Sequence, residues 1–228
     1  MPVIIVADMS GVVLGTVVGC LVKKRISVSL RESMDLALAA ISCAIGIQLV
    51  GKSVHMAAAV LALLLGGILG HLLKIDQQLS ALSKRLPGAS DGEAAQTLLV
   101  AFTLYCLSTT GIIGALSLGF EGDSSVLATK AIMDFIASVF FAASSGGVLA
   151  VICLPLGLIL WLFYQLSGIL MPHLTVDMIG DFSACGGLIQ LLNAMRIAKL
   201  KNPPVADYMP ALLLIFFISA AWSRWMQV

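Results

Sequence analysis

Residues 147–170 have the sequence GVLAVICLPLGLILWLFYQLSGIL, a run without a charged side chain. As a helix it is long enough to cross the roughly 30 Å hydrocarbon core of a bilayer. The rest of the chain repeats this pattern of apolar runs and short polar connections, near residues 4–23, 33–51, 55–73, 96–116, 125–144, 178–197 and 206–226. The sequence therefore predicts an all-α, polytopic membrane helix bundle with about eight transmembrane helices.

The composition places the chain in lipid rather than in water. Of its 228 residues, 60% are hydrophobic and 11% are charged, and the mean hydropathy is +1.06. We expect residues 1–228 to form one membrane domain whose partner is the lipid bilayer, because a soluble domain does not carry so few polar residues. The net charge of +1 offers nothing to a nucleic acid. The five cysteines have no C-x-x-C spacing and the histidines no zinc spacing, so we expect no cofactor and no metal site.

The distribution of basic residues between the connections predicts the orientation. Lysine and arginine concentrate in the first, third and seventh connections and are scarce in the even-numbered ones. Because basic residues in short loops stay in the cytoplasm, the odd-numbered connections are predicted to be cytoplasmic and both termini to face outward. The residues concerned are Lys23, Lys24, Arg25 and Arg31, then Lys74, Lys84 and Arg85, then Arg196, Lys199 and Lys201.

The third connection, residues 74–95, is long and polar. The spacing of Gln77, Leu79, Leu82 and Lys84 suggests a short helix that lies on the membrane surface of this cytoplasmic loop. A linker without secondary structure is the alternative, and the sequence leaves both open.

The second and seventh predicted helices share a short pattern. By the predicted orientation these helices run in opposite directions, as in the inverted repeats of many transporters. Helices 1–3 and 6–8 would then form an inverted repeat around a central pair, and chance similarity between two apolar helices is the alternative. The pattern consists of Asp35, Cys43, Ile47, Gln48 and Leu49, which recur with the same spacing as Asp177, Cys185, Ile189, Gln190 and Leu191.

The second half of the fourth predicted helix contains three consecutive hydroxyl residues, Ser108, Thr109 and Thr110, followed by Gly111. Hydroxyl groups can satisfy the backbone groups that a kinked or unwound membrane helix leaves free. Such a break is a place to bind a polar solute. An unbroken helix whose hydroxyls bond to the preceding turn is the alternative.

The fifth predicted helix carries two charges at membrane depth. Lys130 and Asp134 lie one turn apart on one face, about 9 and 15 Å beyond the capping residues Asp123–Ser125. The short carboxylate of Asp134 cannot extend to the interface, so its depth predicts a functional site. A self-neutralising pair that only locks the helix to its neighbours is the alternative. We expect water to reach the carboxylates nearer the helix ends, Asp8, Asp35 and Asp177.

The predicted substrate or ion pathway combines these two helices with polar residues of the second and seventh helices. Its members are Ser108, Thr109, Thr110, Gly111, Lys130, Asp134, Gln48, Gln190, Asn193 and Asp181.

Glycines repeat every four residues at Gly11, Gly15 and Gly19, and again at Gly66 and Gly70. Such stripes let another helix approach closely. The partner helix can belong to the same protomer or to a second copy, and a homodimer is the expectation in the second case.

The run Tyr105–Gly146 resembles the central motif of the bacterial YqgA-like family of uncharacterised inner-membrane proteins. Supporting motifs are Asp181-Phe-Ser-Ala-Cys-Gly-Gly and Met209-Pro-Ala-Leu-Leu-Leu. The resemblance implies a multi-spanning protein of the bacterial inner membrane, so that both termini would be periplasmic. The family's Gly-Asp, Lys, Asp pattern falls on Gly122, Asp123, Lys130 and Asp134.

The favoured function is a small secondary transporter or permease for a small polar solute or ion, proton-coupled through Asp134. A membrane scaffold or sensor is the alternative. An intramembrane enzyme, with Ser108 or Ser125 as nucleophile and Lys130 as base, has neither an H-E-x-x-H nor a G-x-S-x-G motif, so we expect no enzyme.

Overall fold

The computed structural model describes residues 2–23, 27–86 and 92–226, and nearly all of them are helical, with no β-strand. This confirms the all-α class. The helices are α1 (Val3–Val22), α2 (Val28–Val50), α3 (Met56–Leu73), α4 (Ile75–Lys84), α5 (Gly92–Cys106), α6 (Thr109–Phe120), α7 (Ser125–Ser145), α8 (Cys153–Leu170), α9 (Val176–Ile197) and α10 (Met209–Met226).

Six stretches of the described chain are long and apolar enough to cross a membrane. The longest, Ser125–His173, contains both α7 and α8, which a 3-10 segment, Gly146–Ile152, joins. Gly146 has a φ of +73°, a conformation that favours glycine where α7 ends. The helix α9 is not among the six stretches. The count of eight crossings therefore stays a prediction.

The third connection contains a helix, α4, followed at 87–91 by residues outside the described part of the chain. Its position on a membrane surface stays a prediction. Lys24 and Arg25, which belong to the orientation argument, also lie outside the described residues.

The chain divides into two compact units, of which the first comprises Met1–Leu38 and Ser80–Pro172. In this unit Gly11 and Gly19 of α1 face the carbonyls of Ala131 and Val139 of α7, so the two helices are parallel. The contacts of α6 show that it runs antiparallel to α7 and parallel to α8. Those contacts pair Gly111 with Lys130 and Leu160, Gly114 with Leu127, and Gly119 with Ser167.

The second unit comprises Ala39–Leu79 and His173–Val228. The helices α2 and α9 are antiparallel here, because Ser42 contacts Gln190 and Val50 faces Gly187. The helices α3 and α10 are also antiparallel. Their close contacts place Gly66 against Ala211 and Gly70 against the carbonyl of Asp207.

A polar cluster ties the start of α4 to the rest of the second unit. Asp76 Oδ1 accepts hydrogen bonds from Arg196 Nη1 (3.1 Å) and the Ala206 amide (3.3 Å), and the Asp76 amide donates to Asp207 Oδ1 (2.8 Å). Arg196 is 4% exposed. The cluster anchors the chain where α3 passes into α4. The predicted repeat of helices 1–3 and 6–8 does not follow the boundary between the units and stays a prediction.

Candidate functional site

The fourth predicted helix is interrupted. Of the two alternatives, the broken helix is therefore the correct one, and the continuous helix is wrong. The helix α5 ends at Cys106 and α6 begins at Thr109. Ser108 has an extended backbone (φ −67°, ψ 116°) and caps α6, with its hydroxyl oxygen accepting from the Gly111 amide (3.4 Å). The first turn of α6 therefore begins within the apolar stretch Ala94–Phe120, where Thr109 is buried and Ser108 and Thr110 are half-buried.

Lys130 and Asp134 form a buried ion pair, and a third group joins them. Lys130 Nζ donates both to Asp134 Oδ2 and to Asp8 Oδ2 of α1, the latter at 3.2 Å. The exposed fractions are 0% for Asp8, 4% for Lys130 and 7% for Asp134. We call Asp8, Lys130 and Asp134 the triad. The expectation that water reaches Asp8 was wrong, whereas Asp35 and Asp177 are half-buried.

The glycine stripe of α1 explains why Asp8 reaches the triad. A Cβ added at Gly15 would collide with the carbonyl of Phe135 and lie 2.8 Å from Ser138 Cβ, and one at Gly19 would lie 2.8 Å from Ala142 Cβ. The helices α1 and α7 thus approach each other closely along their length. Asp8 lies one turn before this stripe, so it meets the Lys130 side of α7. The stripe serves packing within the protomer, as does Gly66–Gly70 in the second unit.

The triad carries an odd number of charges. With all three groups ionised, two carboxylates face one ammonium group, which leaves one negative charge uncompensated among buried side chains. Asp8 Oδ1 is buried and receives no hydrogen bond from any described residue. An uncompensated buried charge costs several kcal/mol, in order of magnitude. One bound proton, or one small cation, would make the cluster neutral.

Two hydroxyl groups that were not among the predicted site residues lie next to the triad. Tyr105 Oη and Ser138 Oγ are 3.0 Å apart, and Lys130 Nζ lies 5.9 Å from the centre of the Tyr105 ring. Ser138 follows Asp134 by four residues, so helical spacing alone indicated that it shares the face of the charged pair. Tyr105 had no such sequence pattern, because its position depends on the break after α5.

The predicted Asp123–Ser125 cluster precedes α7, where Asp123 binds Ser125 and the N-cap residue Ser124 makes no side-chain capping hydrogen bond. Asp123 accepts hydrogen bonds from the Ser125 amide (2.8 Å) and the Ser125 hydroxyl (2.9 Å). These hydrogen bonds hold the pKa of the Asp123 carboxyl below its usual value. Asp123 lies in the connection before α7, on the exposed surface of the protein.

The remaining predicted pathway residues belong to the second unit. The side-chain amide of Gln190 donates to Ser42 Oγ (3.0 Å), and the Ser42 hydroxyl donates in turn to the backbone carbonyl of Gln190 (3.2 Å). Gln48 is exposed and does not join this pair, and its place in a pathway stays a prediction. Asn193 is buried.

Asp181 holds the connection between α2 and α3 in place. It accepts hydrogen bonds from the amides of Val54 (3.0 Å) and His55 (2.6 Å), contacts the His55 ring (3.0 Å), and accepts from the Ser219 hydroxyl (2.6 Å). These contacts use both oxygens of a carboxylate that is 0% exposed. The arrangement is typical of a structural carboxylate.

Comparison with known proteins agrees with the resemblance found in the sequence. Residues 4–220 match the model of the family described as "Protein of unknown function (DUF554)". The chain is 36% identical to the uncharacterized protein YqgA of Escherichia coli (strain K12), with 95% of each chain covered. It is 24% identical to the uncharacterized membrane protein YdfK of Bacillus subtilis (strain 168), over 93% of this chain and 95% of the relative. No solved structure matches it. The chain belongs to the DUF554 family, as the match over nearly its whole length shows.

Proposed function

We propose that the chain is a small secondary transporter of a polar solute or ion, and that the triad is its proton-coupling site. The observation that carries this proposal is the burial of two carboxylates around one lysine beside an interrupted helix. Ionisable groups at membrane depth are costly and mark ion or proton pathways.

The third member of the triad favours this function over a structural lock. A lock between Lys130 and Asp134 alone is neutral and needs nothing more. Asp8 adds a charge that the lysine cannot compensate, and the close packing of α1 on α7 places it there. A residue that only stabilises the helices gains nothing from this excess charge, whereas a proton-binding site uses it.

The start of α6 is the proposed contact point for the solute. Gly114 faces Leu127 and Gly111 faces Lys130, so by antiparallel register residues 108–110 lie level with residues 131–133, between Lys130 and Asp134. The first amides of a helix lack partners within that helix and carry a partial positive charge. The amides and the hydroxyls of Ser108, Thr109 and Thr110 can therefore bind a polar group near the triad.

The orientation belongs to the proposal as well. We place eight crossings in a bacterial inner membrane, with both termini periplasmic. The parallel pair α1 and α7, and the antiparallel pairs within each unit, agree with helices that alternate in direction along the chain.

The enzyme alternative receives no support from these contacts. Ser125 Oγ donates to Asp123, and Ser108 Oγ accepts from the Gly111 amide. Lys130 Nζ donates to two carboxylates instead of meeting either hydroxyl. The hydrogen bonds of Lys130 thus leave its pairing with Ser108 or Ser125 without support.

The test is transport by the purified full-length protein in liposomes. A panel of amino acids, dicarboxylates and alkali cations is offered with and without an inward pH gradient, and charge movement is recorded on a solid-supported membrane. We expect a pH-driven current for one solute class, lost in Asp134→Asn and in Asp8→Asn. Asp123→Asn is the matched control, since it changes an exposed carboxylate and keeps a good capping residue.

Two results would overturn the proposal. Currents equal to wild type in both triad variants would remove the triad from coupling. A wild type without any pH-dependent current across the panel would favour a scaffold or sensor.

A further inference from the structure

The Tyr105–Ser138 hydrogen bond continues the polar face of α7 beyond the triad. Lys130, Asp134 and Ser138 follow one another at intervals of four residues, and all are buried. Other positions of α7 point to the outside: Ile132, Met133 and Ile136 are 64%, 45% and 47% exposed. The inward face is therefore the one that carries polar groups.

This polar face leads deeper along the helix. Counted from Ser125, Lys130 lies about 8 Å, Asp134 about 14 Å and Ser138 about 20 Å along the axis. Beyond Ser138 the same face has one apolar turn, with the buried Phe141 and Ala142, before the buried Ser145, whose hydroxyl donates to the Phe141 carbonyl. The hydroxyl pair is thus the last polar step before this apolar turn.

We infer that Tyr105 and Ser138 form a proton relay that moves the proton from the triad one helical turn deeper, to the edge of this apolar turn. The inference rests on the proposed function, because it assigns the route of the same proton. Tyr105 and Ser138 act as transfer residues and do not hold the proton at rest.

The proton balance of the relay is simple. The protonated carboxyl of Asp134 gives its proton to the Ser138 oxygen, and the Ser138 hydroxyl gives its own proton to Tyr105 Oη. Tyr105 is 1% exposed, so it releases its proton to a water molecule that reaches its hydroxyl only when the transporter opens on the side away from the triad. Both hydroxyls end neutral. One helical turn separates Asp134 from Ser138, about 5–6 Å between Cβ atoms, so a rotation of Ser138 or one water molecule completes the link.

A packing role alone makes a different prediction. Two buried hydroxyls that only satisfy each other can both be removed, and replacing both by apolar groups of the same shape is nearly neutral. Tyr105→Phe keeps the ring beside Phe141, whose centre lies 6.2 Å from that of Tyr105, and beside Lys130. The double variant Tyr105→Phe/Ser138→Ala therefore separates a relay from a packing contact.

The experiment measures proton entry into liposomes that contain the full-length protein, in the presence of each solute class of the transport panel. Valinomycin and a potassium gradient impose a voltage, and trapped pyranine reports the internal pH. We expect the double variant to slow proton entry by roughly tenfold or more. Ser167→Ala is the matched control, since Ser167 is also buried but bonds to the Tyr164 carbonyl of its own helix. It should transport as wild type.

Infrared spectra distinguish a loss of proton transfer through the relay from a loss of proton binding at the triad. The pH-dependent carboxyl band should persist in the double variant and be absent or altered in Asp134→Asn. Proton entry within twofold of wild type in the double variant overturns the relay. Wild-type entry in Asp134→Asn, or no proton entry in the wild type, overturns the proposed function as well.

Discussion

Replacing Gly15 by alanine should push α1 away from α7 and open the triad. The added Cβ would lie 2.8 Å from Ser138 Cβ and collide with the Phe135 carbonyl. Two carbon atoms prefer a separation of about 3.5–4.0 Å, so the helices must move apart by roughly 1 Å. Asp8 Oδ2 and Lys130 Nζ, now 3.2 Å apart, would then exceed hydrogen-bonding distance.

The expected cost of Gly15→Ala is about 1–3 kcal/mol, the usual cost of overpacking. For a chain of this size, that lowers the unfolding midpoint by about 2–4 °C for each kcal/mol. Thermal unfolding in detergent, followed by tryptophan fluorescence, measures the change. Gly168→Ala is the control, because no described atom lies within 4 Å of a Cβ there, and it should leave stability unchanged or raise it by up to about 1 kcal/mol.

The hydrogen bonding of the triad should also be lost in Gly15→Ala. We expect Gly15→Ala to lose the infrared carboxyl change of wild type, and Gly168→Ala to keep it. If Gly15→Ala unfolds at the wild-type temperature with an intact carboxyl signal, the close approach of α1 to α7 does not hold Asp8 in the triad.

Two further outcomes follow from the charges. Lys130→Met should lower the free energy of unfolding by about 3–5 kcal/mol, because it leaves two buried carboxylates without a cation. Adding Asp8→Asn should recover part of that loss, and unfolding in detergent measures both variants. A wild-type unfolding free energy in Lys130→Met would contradict the burial of the triad. Asp123 has a lowered pKa in the folded state, so its contribution is present above its unfolded pKa and is lost as the pH falls through its folded pKa. The stability difference between wild type and Asp123→Asn should therefore vary with pH over this acidic range, and a constant difference would contradict the cap.

The apolar runs predicted most of the helices, because a membrane helix must satisfy its backbone groups within a long apolar segment. The hydroxyl cluster at 108–110 correctly indicated a break. An unbroken helix was the alternative, because the hydroxyls can form hydrogen bonds with the backbone in either case. The extended backbone of Ser108, between the end of α5 and the start of α6, distinguishes the two cases.

Side-chain direction was harder to predict than helix position. Ser42 and Gly46 lie one turn apart and face α9, whereas Gln48 follows Gly46 by two residues and points about 200° around the helix, away from that contact. Asp8 lies only five residues into α1, a depth at which water is expected. Its burial follows from tertiary packing along the glycine stripe, which sequence spacing alone does not assign to a partner helix.

The packing around Lys130 links the triad to the broken helix. A Cβ at Gly111 would lie 2.7 Å from Lys130 Cε and 3.2 Å from its Cδ, so the lysine stem lies across the first turn of α6. In the proposed mechanism, a proton on either carboxyl weakens that group's hold on the ammonium. The ammonium would then shift along this turn, because Gly111 lies against the lysine stem and the centre of the Tyr105 ring lies 5.9 Å from Nζ. Protonation of the triad and the geometry of the solute contact at α6 would thus be coupled through one side chain, which is the coupling that a secondary transporter requires.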